Sequence, residues 1–148
     1  MATLPQTPNS TNFNQRLGQI AGLALGDAVT FVLFASIGRA SHAEAAGLAA
    51  IPATLETAAP FLIGWFAVAP WFGSYNNRVA NRPVAMIGRT ALTWLIAWPI
   101  GLGLRALIRQ ASIPISFALV TFATVLVMLL IWRGVYAAIN QRMHASTH

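Results

Sequence analysis

The chain carries only three carboxylates, Asp27, Glu44 and Glu56, and Asp27 stands where a carboxylate is least expected. It lies at the middle of 17–39, LGQIAGLALGDAVTFVLFASIGR, about twenty apolar residues, enough to cross a bilayer as a helix. An acid at that depth is costly and marks a proton or cation site unless polar neighbours satisfy it. On a helical wheel Gly18, Gly22, Gly26, Gln19 and Thr30 fall on one arc, with Asp27 at its edge, and aliphatic residues fill the other side. The small residues make a groove for close approach of another helix, so Gly18, Gly22 and Gly26 are the expected helix-packing face. Packing is the favoured reading of Asp27 too, with a hydroxyl or indole as its partner. Thr30, Thr93 and Trp94 complete the candidate intramembrane polar site.

A second group stands at helix ends. Arg39, His42, Glu56 and Arg105 are expected to meet at one surface, with Glu56 and Arg105 as an ion pair between neighbouring antiparallel helices. No second histidine or acid stands at ligand spacing from His42, so no metal site is expected. With no cysteine, thiolate chemistry and disulfides are excluded. An enzyme needs a convergent acid, base and nucleophile. None is visible, so no catalytic residue and no cofactor are expected. Trp94, Trp98, Gly101 and Arg105 share a helical stripe that would suit a flat ligand but reads better as packed core. All nine basic residues are arginine, giving a net charge of +6. Arginine suits bidentate anion contacts, but the positive loops of a membrane protein are the favoured account of the count. Basic and aromatic residues are not interleaved on a polar stretch, so no nucleic-acid partner is expected.

The elements that must position these residues are set by composition. Hydrophobic residues make up 57% and charged residues 8%, against roughly a quarter charged in soluble domains. So little charge cannot cover a water-facing surface. The expectation is an all-α polytopic membrane protein, four transmembrane helices in an up-down bundle. Residues 1–16 read as a disordered tail, 17–138 as the membrane domain and 139–148 as a second disordered tail. The spans are expected at about 17–37, 54–72, 90–107 and 114–138. The first reads as an uncleaved span, being too long for a signal-peptide core. Pro60 and Pro99 fall inside the second and third spans. Trp65, Trp71 and Tyr75 are candidates for an interfacial belt, and Trp132, Arg133 and Tyr136 for the exit of the last span. That placement puts Arg133 too far from Asp27 to bridge to it.

With four spans, both termini and the middle loop share a side. That side holds Arg16, Arg78, Arg82, Arg89, Arg133 and Arg142, the other Arg39, Arg105 and Arg109. The excess places both termini in the cytoplasm, with the protein in the cell (inner) membrane.

Asp27, Gly38-Arg39, Ser41-His42, the run Thr57 to Leu62 with Gly64-Trp65, Thr93-Trp94, Pro99, Gly101, Arg105, the run Ser116 to Val120 and Trp132-Arg133 together resemble a family of small four-span prokaryotic membrane proteins. The family is known as the domain of unknown function numbered 3054. The resemblance runs from Gly26 to Arg133 and implies four transmembrane helices and a membrane location. It implies no activity, and no catalytic residue carries over. The expected function is a non-enzymatic accessory or assembly protein, packing in the lipid bilayer as a homo-oligomer or against a larger membrane complex. The alternative is a small homo-oligomeric transporter or channel using Asp27.

Overall fold

The computed structural model describes residues 10–41 and 50–145. Four long helices and one short one follow in order: α1 Ser10–Ser41, α2 Ile51–Val68, α3 Asn77–Ala80, α4 Pro83–Arg109 and α5 Ile115–Ala145. There is no strand among the described residues. The four long helices are each long and apolar enough to cross a membrane, as the composition requires. α1 packs on α2, α2 on α4, α4 on α5, and α5 returns to α1. The five residues 110–114 turn α4 into α5 through Gln110, whose φ of 49° is left-handed.

The helix limits correct the expected domain bounds. α1 begins at Ser10 and α5 ends at Ala145, so each runs seven residues, about 10 Å of rise, beyond its expected span. Residues 10–16 and 139–145 are helix, not disordered tail. The second span lies earlier than expected, starting at Ile51 and stopping at Val68. Because it starts three residues before the expected 54, Glu56 sits in the second turn of α2, not the first. Residues 1–9 and 146–148 lie outside the described residues, as do His42 and Glu44.

Within a bilayer, apolar surface gains little by leaving lipid for protein, so close packing and polar contacts select the arrangement. Backbones approach closely where α2 crosses α4. A Cβ added to Gly64 would lie 2.8 Å from the Ala97 carbonyl oxygen, and one on Gly101 would lie 2.5 Å from the Phe61 ring. Around that crossing Phe31, Phe61, Trp65 and Trp94 form a cluster of tilted rings, with centroids 5.6 to 6.5 Å apart, a favoured aromatic geometry. The Trp94 and Trp98 stripe is therefore part of the packed interior. Their indole N–H groups donate to the carbonyls of Phe122 (3.0 Å) and Ala118 (3.1 Å).

The glycine stripe of α1 works inside the molecule. The Trp132 indole lies where a Cβ on Gly26 would be, and Tyr136 lies 3.9 Å from a Cβ on Gly22, whereas Gly18 faces open space. Gly26 against Trp132 and Gly22 against Tyr136 fix the register of α1 on α5.

Candidate functional site

That register decides the chemistry of Asp27. With Gly22 opposite Tyr136 and Gly26 opposite Trp132, Asp27 lies level with Ile131. Arg133 is then two residues away, about 3 Å of rise, well within reach of an arginine. Arg133 Nε donates to Asp27 Oδ1 at 2.8 Å, and Nη2 donates to Oδ2 at 2.6 Å. Both side chains are fully buried. The expectation that Arg133 sits at a helix exit and cannot reach Asp27 is therefore corrected. It measured depth from assumed helix ends, whereas depth is set by the glycine contacts.

Two further donors converge on the same carboxylate. Trp65 Nε1 donates to Oδ2 at 3.0 Å, and the Tyr75 hydroxyl donates to it at 2.8 Å. Both rings also lie 5.0 Å from the Arg133 guanidinium carbon, within the range of cation–π attraction. Trp65 is wholly buried and Tyr75 turns inward, so neither belongs to an interfacial belt. Trp71, 88% exposed, is the residue of that trio that faces outward. Tyr75 stands in the connection after α2, where burial first, and then the Asp27 carboxylate, push its phenol well above the usual range. It stays a protonated donor.

The connection that delivers Tyr75 is built locally. Pro70 has no N–H to continue the helix. Gly73, with φ of +63°, takes the left-handed conformation that glycine adopts without steric cost. Its N–H bonds to the Pro70 carbonyl at 3.0 Å, and Ser74 N–H bonds back to the Ala69 carbonyl at 3.0 Å. The turn brings Ser74 and Tyr75 under the end of α2. There Arg133 Nη1 donates to the Ser74 carbonyl at 3.0 Å and lies 3.6 Å from Met86 Sδ. The Ser74 hydroxyl in turn pairs with that of Thr93 at 2.7 Å.

The other residues expected around Asp27 bond elsewhere. Thr30 donates to the Gly26 carbonyl within its own helix, at 2.8 Å. Thr93 belongs to the network at one remove, through Ser74, and Trp94 serves Phe122. Trp65, Tyr75, Ser74, Met86 and Arg133 were missed as partners. A signal was present for Arg133, because GVYAAI continues the apolar run beyond it and makes it an internal residue of its helix. No comparable signal marks Tyr75, whose position depends on the folded turn.

At the opposite end, where α1 and α4 finish and α2 and α5 begin, the expected charge group is partly assembled. Glu56 pairs with Arg109, at 3.2 Å, and not with Arg105. Arg109 is one helical turn beyond Arg105 on the same face, so the correction is one turn of register. Both partners are about half exposed. The Arg105 guanidinium lies instead over the Phe117 ring, 4.5 Å from its centroid. Arg39, Arg105 and Arg109 line one pocket with Phe34, Phe117 and Thr121. His42, the fourth expected member, lies outside the described residues. No group of three or more His, Cys, Asp or Glu able to hold a metal is present among the described residues.

No curated protein and no solved structure matches the chain. A family model described as "Protein of unknown function (DUF3054)" matches residues 24–136. That span contains Asp27, Arg133 and their partners Trp65, Ser74, Tyr75 and Met86, and Arg39, Arg105 and Arg109 as well. The match covers more than half of the chain and agrees with the four-helix architecture, so this membrane protein belongs to the DUF3054 family.

Proposed function

We propose that the chain is a non-enzymatic accessory or assembly protein that acts by lateral contact with a transmembrane helix of a larger membrane complex. The observation that carries this reading is the state of Asp27. Its two oxygens accept four hydrogen bonds, and the residue has no exposed surface. A carrier of protons or cations must release its bonds and meet a pathway, whereas a carboxylate held in this way fixes helices. Removing it leaves a buried arginine uncompensated.

What the helices present outward suits a binding role. Between α1 and α5 runs an apolar groove of about 520 Å³, lined among others by Gly22, Leu25, Val29, Met128 and Ile131. Gly18 continues the α1 face into open space. Small residues flanked by aliphatic ones form a surface on which another helix can approach closely. Five arginines (Arg16, Arg78, Arg82, Arg89 and Arg142) lie toward the end that holds both termini, and three toward the other. This count favours cytoplasmic termini once Arg133 is taken out of it.

The test is purification in native nanodiscs at endogenous expression, with mass spectrometry of what accompanies the protein. A stoichiometric larger partner is expected. Gly18→Leu, at a position where an added Cβ meets nothing within 4 Å among the described residues, should release that partner without changing thermal stability. Retention of the partner by Gly18→Leu and Gly22→Leu alike would remove α1 as the contact. A homo-oligomer without a partner would favour transport instead.

A further inference from the structure

The pocket at the arginine end has a volume of about 520 Å³, and its lining is divided by chemistry. Phe34, Phe117 and Val120 supply apolar lining, while Arg39, Arg105 and Arg109 bring guanidinium groups to it. Glu56 pairs there with Arg109.

Two buried polar atoms at this pocket point to a ligand. Thr121 is wholly buried and its hydroxyl has no hydrogen-bond partner. A threonine inside a helix ordinarily donates to a carbonyl one turn back, as Thr30 and Thr57 do here at 2.8 and 3.0 Å. Thr121 does not, although it lines the pocket. Arg105 Nη1 is likewise buried without an acceptor, while its guanidinium is held over Phe117. Buried donors are nearly always paired, and an unpaired one calls for a partner not yet in place. An acceptor of negative charge satisfies both.

We propose that this pocket binds an anionic amphiphile, a phospholipid of the surrounding bilayer, with a phosphate oxygen between Arg105 and Thr121 and an acyl chain along Phe34, Phe117 and Val120. Arginine pairs with phosphate through parallel N–H bonds, and the apolar lining takes the chain that a free anion lacks. The proposal uses the end of the molecule remote from the α1 and α5 groove and stands independently of the accessory role.

The experiment reconstitutes the full chain in nanodiscs of phosphatidylcholine with a minor fraction of phosphatidylglycerol. Native mass spectrometry then reads the lipid retained on release. Phosphatidylglycerol should be retained in preference to phosphatidylcholine. Arg105→Gln should lower its retention about tenfold, and Thr121→Val about fivefold, as expected for a charged and a neutral donor. Arg78→Gln, at the opposite end, should change nothing. Thr121→Val removes a hydroxyl with no partner in the protein, so in pure phosphatidylcholine it should unfold at the parent temperature, which separates ligand binding from a structural role. Equal retention of the two lipids, or an equal loss in Arg78→Gln, would overturn the proposal. So would stabilisation by inorganic phosphate or a fatty acid that matches phosphatidylglycerol.

Discussion

Arg133 and Arg105 are arginines on neighbouring helices of one molecule, and they are treated in opposite ways. Arg133 lies inside the helix ring, where all three of its guanidinium nitrogens have partners and two aromatic rings flank it. Arg105 lies near a helix end, with a ring beneath it and one nitrogen buried without an acceptor. The first is a closed account in which charge, hydrogen bonds and burial balance among α1, α2, α4, α5 and the turn after α2. The second is open, and its polar atoms wait on something outside the chain. The contrast teaches that a charge within a membrane span is not in itself a site of action. The number of partners distinguishes a structural pair from a binding group.

The largest effect should come from opening the closed centre. Asp27→Asn keeps a hydrogen-bonding side chain but leaves Arg133 buried without a counter-charge. It should cost about 3–5 kcal/mol, read as a lowered unfolding midpoint in nanodiscs. The register that assembles the centre is the next target. Gly26→Ala places a methyl group where the Trp132 indole lies. It should destabilise by about 1–3 kcal/mol through overpacking. If the centre depends on register as argued, crosslinking between α1 and α5 should show the shift.

A smaller loss, about 1.5 kcal/mol, should follow Tyr75→Phe, because Asp27 Oδ2 keeps Trp65 and Arg133 as donors. Chemical denaturation can rank it below Asp27→Asn. The smallest effect belongs to the open end. Glu56→Gln breaks a half-exposed pair worth about 0–1 kcal/mol. It should leave the unfolding midpoint nearly unchanged while raising phosphatidylglycerol retention, because it frees Arg109. A stability loss there as large as that of Asp27→Asn would erase the distinction between the two regions.

The four spans and the all-helical fold were legible in the sequence because apolar runs of that length have few alternatives. The polar centre was half legible. Asp27 announced itself as an acid among apolar residues, and Gly26 as a small residue one turn before Thr30. Its partners did not, because pairing depends on how α5 slides along α1, and that is decided by Trp132 seating on Gly26. Tyr75 was hidden for a different reason. In sequence it belongs to a polar loop, and only the left-handed turn at Gly73 brings it inward. At the other end the ion pair was found in kind but misplaced by one turn, Arg109 for Arg105. Residues four apart share a helix face, and sequence periodicity cannot choose between them.

A double-mutant cycle on Asp27 and Arg133 tests the central claim most directly. Thermal or chemical unfolding in nanodiscs would be measured for Asp27→Leu, Arg133→Met and the pair together. If the two groups form a closed structural pair, each single change loses about 3–5 kcal/mol and the double change loses far less than their sum. Additive losses, with a coupling within about 0.5 kcal/mol, would contradict it and return Asp27 to the role of an independent intramembrane acid.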